Sequence, residues 1–205
     1  MSTTIQRYTA RERNSHWVVA IAFVLAALSG LALFHPSFYF LTNLFGGGPW
    51  TRILHPFIGV VMVLAFIGMA VRFWRYNHVT RADREWLQHI DDVVWNRDDR
   101  LPEQGKYNAG QKLLFWSLVV LVPLLLVSGI VIWRPWFAPI FPIPVLRIAS
   151  VIHALAAWLM ILGIVVHVYA AFWVKGSIRA MTRGTVSTAW ARHHHRAWYR
   201  DVTGK

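Results

Sequence analysis

The chain contains no cysteine and few acidic residues. Its 205 residues include nine Asp and Glu against 21 Lys and Arg. The absence of cysteine excludes disulfides, iron–sulfur clusters held by cysteine thiolates, and haem attached covalently through a C-x-x-C-H motif. Any haem in this chain must therefore be held without a covalent link, by side chains such as histidine or methionine.

Long apolar runs fill much of the chain, which is 56% hydrophobic and only 15% charged. This composition is too apolar for a soluble domain and fits a multi-span membrane protein. Four runs each approach or exceed the ~20 residues that cross a bilayer: Trp17–Phe34, Ile53–Val71, Leu113–Trp133 and Ile148–Val174. Because backbone polar groups cannot stay unpaired in lipid, we expect helices. The predicted fold is an all-α membrane protein, one four-transmembrane-helix bundle over residues 1–205.

Lys and Arg are distributed very unevenly along the chain. Three precede the first run, eight lie in residues 72–112, and seven lie from residue 175 onward. The other two connections hold only Arg52, Arg134 and Arg147. The positive-inside rule therefore predicts that both termini are cytoplasmic, together with a loop at 75–112 and a tail at 175–205. Because the basic residues flank apolar runs, we expect membrane lipid and no nucleic acid as a partner. We also expect no cleavable signal peptide, because the first run is about a full span long.

Four histidines lie at matching depths in this topology. His153 and His167 are fourteen residues apart in one run, so on a helix they face about the same way and are separated by roughly 21 Å. His16 and His55 begin two other runs. The topology places His55 level with His153 on the outer side and His16 level with His167 on the cytoplasmic side. An iron with two axial imidazoles needs such a pair, so the sequence predicts two haems.

Other readings of these residues remain open. Histidines at helix ends can lie at the headgroup level without a role. Glycines near the ligand positions would let a macrocycle approach, although membrane helices also pack through glycine: Gly30, Gly59 and Gly163. The run His193–His195 predicts no metal site, since adjacent residues on a helix do not converge on one ion.

The string from Lys106 to Lys112, just before the third run, is a candidate quinone site. Asn108 and Gln111 can donate hydrogen bonds to a quinone carbonyl, and Gly110 allows close approach. The same string fits an ordinary helix entry with Asn108 as its N-cap.

These residues resemble the cytochrome b (gamma) subunit of membrane-bound respiratory formate dehydrogenases. The resemblance covers almost the whole chain. Its motifs are His16-Trp17, the segment 52–56 around His55, the string 106–112, Trp133-Arg134-Pro135, and the fourth run followed by the segment 171–178.

The resemblance implies two haem b groups whose iron ligands match His16, His55, His153 and His167. It also implies that menaquinone or ubiquinone is reduced near Asn108, Gly110 and Gln111, with His167 close by. An iron–sulfur (beta) subunit and a molybdenum or tungsten catalytic (alpha) subunit are the implied partners. The implied location is the bacterial inner membrane.

Three alternatives to this interpretation differ in what the chain binds. A cytochrome b subunit of a hydrogenase or thiosulfate reductase-like complex would share the haems and differ in its partner. A haem-free membrane anchor would only tether a dehydrogenase. A transporter is less consistent with the sequence, because no span contains an acidic residue to carry coupling ions.

Overall fold

The structure is a computed structural model that describes residues 3–95, 97, 100–134 and 136–204. Along the chain its strands and α-helices are β1 (Thr4–Gln6), α1 (Ala10–Phe34), α2 (Gly48–Phe73), α3 (Arg81–Gln88), α4 (Ile90–Val94), α5 (Ala109–Ile132), α6 (Ile143–Trp173), α7 (Ser177–Arg183), β2 (Thr185–Ser187), α8 (Thr188–His194) and α9 (Arg196–Thr203). A 3-10 helix, Pro36–Phe45, connects α1 to α2.

The helices α1, α2, α5 and α6 are each long and apolar enough to cross a membrane. Only 11% to 22% of the most apolar 18-residue stretch of each helix is buried inside the protein. The large apolar side chains that remain exposed make a surface suited to lipid rather than water. The prediction of a helical chain with four membrane-spanning helices is therefore confirmed. The helices are longer than the apolar runs, and α1 begins seven residues before Trp17.

The described residues form two compact units. The first, here called the histidine unit, comprises residues 14–70 and 117–165. The second, here called the terminal unit, comprises the described residues within 1–13, 71–116 and 166–205. The single bundle over residues 1–205 stays a prediction.

In the histidine unit, aromatic contacts join helices that are distant in sequence. Phe34 of α1 meets Trp158 of α6 edge-on, with ring centroids 6.3 Å apart. Phe57 of α2 meets Trp133, which follows α5, at 5.2 Å. Such edge-to-face pairs add about 1 kcal/mol each beyond the area they bury. They pack α1 against α6 and α2 against the end of α5.

The terminal unit contains a two-stranded antiparallel sheet that the sequence patterns did not indicate. Strand β1 pairs with β2 in a register that places Ile5 opposite Val186. The chain enters β2 through Gly184, whose φ of 81° few other residues adopt. The Gly184 carbonyl accepts hydrogen bonds from the backbone N–H groups of Arg7 and Tyr8 at 2.8 and 3.1 Å. This turn ties the N-terminal segment to the tail.

A buried ion pair fixes the start of α5 against α3 in the terminal unit. Lys112 Nζ lies 2.7 Å from Asp83 Oδ2, and the two side chains are 10% and 4% exposed. Asp83 also accepts bonds from the Thr80 backbone and hydroxyl at the start of α3, both at 2.7 Å. Burial alone would raise the pKa of Asp83, but the bonds from Lys112 and Thr80 outweigh it and hold that pKa below its ordinary value.

We predict that Asp83→Asn destabilises the protein by about 3 kcal/mol, because it leaves the Lys112 ammonium buried without an anion. Thermal unfolding in detergent, followed by circular dichroism, measures this loss. Since the pKa of Asp83 is lowered, its stabilisation is complete above about pH 4 and is lost as the pH falls further.

The matched control is Glu85→Gln in the same helix. Glu85 pairs with Arg81 at 3.2 Å, but the two side chains are 47% and 93% exposed. Exposed pairs contribute about 0.5 kcal/mol or less. Equal effects of the two variants would contradict the importance of the buried pair.

Candidate functional site

His55 lies on α2 and is held by a serine and a glycine of α1. The hydroxyl of Ser29 is 2.9 Å from His55 Nδ1. A Cβ added to the next residue, Gly30, would come within 3.1 Å of His55 Cε1. The imidazole therefore occupies the space that a side chain at Gly30 would need. The sequence assigned that space to a macrocycle, whereas the structure places the imidazole of His55 there.

His153 lies on α6 and is held in the same way by α5. The hydroxyl of Ser128 is 3.0 Å from His153 Nδ1. A Cβ added to Gly129 would lie 3.2 Å from His153 Cε1. Two helical hairpins thus carry the same arrangement, a Ser-Gly dipeptide on the first helix against a histidine on the second.

The structure brings His55 and His153 together, as the matched depths predict. Their ring centroids are 6.2 Å apart and their planes are inclined at 80°. A bond from a metal to an imidazole nitrogen is about 2 Å long, so two imidazoles on opposite sides of one iron have ring centres about 6 Å apart. The spacing fits an iron held between the two rings. Because Nδ1 of each ring faces a serine, Nε2 is the nitrogen left to bind it.

His16 lies in the histidine unit and His167 in the terminal unit. His16 is half-buried on α1, where its ring meets Trp17 edge-on at 5.4 Å. His167 is half-buried on α6. Their pairing around a second iron stays a prediction.

In the terminal unit, the loop before Asn108 is held through three consecutive backbone carbonyls. The contacts are Trp198 N to Gln104 O at 3.4 Å, His195 Nδ1 to Gly105 O at 2.7 Å, and Arg7 Nη2 to Lys106 O at 2.5 Å. The N-terminal segment and the tail therefore both hold this loop.

Arg7 and His195 lie at the centre of these three contacts, which are here called the latch. Arg7 is only 4% exposed, and its guanidinium lies 5.0 and 4.8 Å from the ring centroids of Trp190 and Trp198. Burial and the neighbouring Arg7 charge lower the pKa of His195 to about 3, so the ring is neutral. Its Nδ1 donates to Gly105 O, and its Nε2 accepts from Arg7 Nη2 at 3.1 Å. Sequence reasoning excluded a metal site at His193–His195 and missed this role.

Asn108 and Gln111 form a reciprocal cap at the start of α5. Gln111 N donates to Asn108 Oδ1 at 2.9 Å, and Asn108 N donates to Gln111 Oε1 at 3.0 Å. The helix-entry interpretation is thus seen in the structure. Both capping bonds use amide oxygens, so they leave the NH2 groups of the two side chains available to donate elsewhere.

Gly110 packs closely against α3. A Cβ at Gly110 would lie 3.3 Å from the indole of Trp86, which is 6% exposed. A larger residue would have to displace this buried ring. Gly110 therefore sets how closely α3 and the start of α5 approach.

The chain is similar to known cytochrome b proteins over most of its length. A model of the prokaryotic cytochrome b561 family matches residues 7–184. The chain is 50% identical over 199 residues to the formate dehydrogenase cytochrome b556(fdo) subunit of Escherichia coli (strain K12), covering 97% of this chain and 93% of that relative. It is 45% identical over 201 residues to the nitrate-inducible formate dehydrogenase cytochrome b556(Fdn) subunit of the same organism, covering 98% and 93%. It is 42% identical over 199 residues to the formate dehydrogenase cytochrome b556 subunit of Haemophilus influenzae, covering 97% and 84%.

The chain belongs to the prokaryotic cytochrome b561 family. It is a multi-pass membrane cytochrome b that serves electron transport. The similarity to the cytochrome b subunits of formate dehydrogenases, first seen in the motifs, is confirmed over almost the entire chain.

We predict that acidification weakens the latch at His195. Because the folded protein lowers the pKa of His195 to about 3, its contribution to stability is complete above the unfolded pKa and is lost as the pH falls below about 6.5. The loss approaches about 1.4 kcal/mol per pH unit. Melting temperatures at pH 7.5 and pH 5 measure it.

The variant His195→Asn, which stays neutral, should show a smaller decrease between these pH values. The control is His193→Asn in the same histidine run, because His193 is exposed. If His195→Asn retains the full pH dependence of the wild type, the latch does not depend on a neutral His195.

Proposed function

We propose that this chain is the cytochrome b subunit of a formate dehydrogenase. In this role it passes electrons from an iron–sulfur partner on the periplasmic side, through two haems, to a quinone at the cytoplasmic face. The observation that carries the proposal is the facing pair His55 and His153. Formate as the electron source is supported by the names of the relatives, which are 42% to 50% identical to this chain.

The proposed iron ligands are His55 with His153 and His16 with His167. Haem b, when bound, supplies a one-electron carrier at each of these two levels. The chain's own residues hold each imidazole in place, keep Nε2 available and surround the site with apolar helices. Support for the first pair comes from its 6.2 Å ring spacing. The second pair is supported by the fourteen-residue separation of His153 and His167.

The proposed quinone site lies at Asn108, Gly110 and Gln111, with His167 nearby. Reduction of menaquinone or ubiquinone to the quinol takes two electrons and two protons. The amide NH2 groups of Asn108 and Gln111 would donate hydrogen bonds to a quinone oxygen. The protons would come from the cytoplasm, past the loop Lys106–Lys112.

The proposed orientation places both termini in the cytoplasm and the chain in the bacterial inner membrane. It is supported by the concentration of Lys and Arg before α1, between α2 and α5, and after α6. Formate oxidation outside and proton uptake inside would then build a transmembrane proton gradient.

The proposed partners are an iron–sulfur subunit and a molybdenum- or tungsten-containing catalytic subunit. This chain has no cysteine, so cysteine-held clusters must belong to another subunit. Purifying the tagged chain from its native membrane identifies the partner. A molybdopterin protein that oxidises formate supports the proposal, whereas a nickel–iron hydrogenase overturns it in favour of the hydrogenase alternative.

We predict that His55→Ala and His153→Ala each remove one of the two proposed haems, because each variant deletes an imidazole that would hold the same haem iron. The haem-to-protein ratio and the reduced-minus-oxidised spectrum of the purified protein measure this. The control is His35→Asn. His35 caps the 3-10 helix after α1, and the asparagine side chain can serve as a cap in its place.

Absence of a b-type α-band in the wild type would favour the haem-free anchor. A band unchanged in both alanine variants would contradict His55 and His153 as ligands.

We predict that Asn108→Asp weakens quinone binding about tenfold, because it removes an amide donor worth about 1.4 kcal/mol. The carboxylate still caps α5, so stability is retained. Titration calorimetry with a water-soluble quinone analogue, in detergent, measures the affinity.

The variant Asn108→Ser is the control for charge, since serine caps the helix without a carboxylate. It should also bind the analogue more weakly than the wild type. If both variants bind the analogue as the wild type does, Asn108 acts only as a cap.

A further inference from the structure

The Ser-Gly arrangement occurs on both sides of the His55 and His153 pair. Ser29 and His55 are 26 residues apart, and Ser128 and His153 are 25 apart. Ser29 is fully buried and Ser128 is 5% exposed. Each serine therefore lies in a position where only protein groups can satisfy its hydroxyl.

The direction of the hydrogen bond to each histidine follows from the other contacts of the serine. Ser29 Oγ is 2.7 Å from the carbonyl of Leu25, and Ser128 Oγ is 2.5 Å from the carbonyl of Leu124. A carbonyl can only accept, so each hydroxyl donates its single hydrogen to the backbone of its own helix. Each serine oxygen is then an acceptor, and the histidine Nδ1–H is the donor.

A second backbone contact of each serine leads to the same protonation state. Ser29 Oγ is also 3.1 Å from the carbonyl of Ala26, and Ser128 Oγ is 3.4 Å from the carbonyl of Leu125. These carbonyls can only accept as well, so each serine oxygen is left to accept a hydrogen bond from Nδ1–H. With the hydrogen on Nδ1, Nε2 is unprotonated.

The glycines limit rotation of the rings. With Cβ positions 3.1 and 3.2 Å from Cε1, Gly30 and Gly129 allow the imidazoles to lie directly against the helix backbone. A ring held by an acceptor at Nδ1 and by a helix surface at Cε1 has little freedom to turn about its Cβ–Cγ bond. Its Nε2 direction is therefore fixed before any metal binds.

We propose that Ser29 and Ser128 are positioning residues that hold His55 and His153 in the Nδ1–H form and strengthen both as iron ligands. This inference rests on the proposed function, because it requires these histidines to bind haem iron. An acceptor on the far nitrogen of a ligating histidine raises its basicity. A more basic ligand favours oxidised over reduced iron, so the two serines lower the reduction potential of this haem together.

The test compares Ser29→Ala and Ser128→Ala with the wild type in the purified haem-loaded protein. Each should lower haem affinity about tenfold, at the small end of such effects. Each should also weaken the preference for oxidised iron by up to tenfold. For one electron, this corresponds to a rise in midpoint potential of about 59 mV. The double variant should shift further, since the serines act on different ligands.

The matched control is Ser150→Ala, one turn before His153 on α6. Ser150 makes the same bond to its own helix, 2.8 Å to the Leu146 carbonyl, and is exposed. Redox titration by optical spectroscopy and the g-values of the oxidised haem should be unchanged in this variant. Potentials and g-values of Ser29→Ala and Ser128→Ala that match those of Ser150→Ala would overturn the inference.

The conservative variant Ser128→Thr covers the case in which an alanine variant loses its haem. Threonine keeps the hydroxyl, so recovery of the haem and of its potential supports the hydrogen bond as the cause. Loss of haem in both Ser128→Ala and Ser128→Thr overturns the inference, because packing at this position, and not the hydroxyl, then governs haem binding. If the haem content of His55→Ala and of His153→Ala equals that of the wild type, the proposed function is refuted instead.

Discussion

The hydrogen bond from each imidazole Nδ1 to a serine on the preceding helix is the constraint on which the histidine unit depends. An apolar helix in lipid has few groups that can satisfy a ring N–H, and an unsatisfied one is costly to bury. Ser29 and Ser128 satisfy it within the hairpin that carries each histidine. Once Nδ1 is occupied, Nε2 is the only nitrogen that can face the opposite ring. The 6.2 Å spacing of His55 and His153 therefore arises from two local contacts, each made within its own hairpin.

The terminal unit satisfies its polar groups by different means. Its buried ions are paired or placed over aromatic rings, as with Asp83 and Lys112 or Arg7 between Trp190 and Trp198. The tail and the N-terminal segment use these contacts to hold a loop through its backbone carbonyls. Because these contacts use backbone carbonyls, they do not occupy the side chains of Asn108 and Gln111.

The sequence predicted the four apolar helices and the approach of His55 to His153, because both depend on helical periodicity and on the length of a span. It did not predict that α1 begins at Ala10, since the first two turns carry polar residues that resemble a loop. The pairing of β1 with β2 joins strands of three residues across nearly the whole chain, which no local pattern reveals. The Ser-Gly dipeptides did carry a readable signal, because serine followed by glycine interrupts two otherwise apolar runs.

The two interpretations of Asn108 and Gln111 are compatible rather than exclusive. A reciprocal cap uses one oxygen from each amide and thereby fixes the orientation of both side chains. An amide with its oxygen bound to the helix start must direct its NH2 group away from it. The cap thus turns two flexible side chains into fixed hydrogen-bond donors at the end of a helix. In the proposed quinone site, these are the donors that a quinone carbonyl would meet.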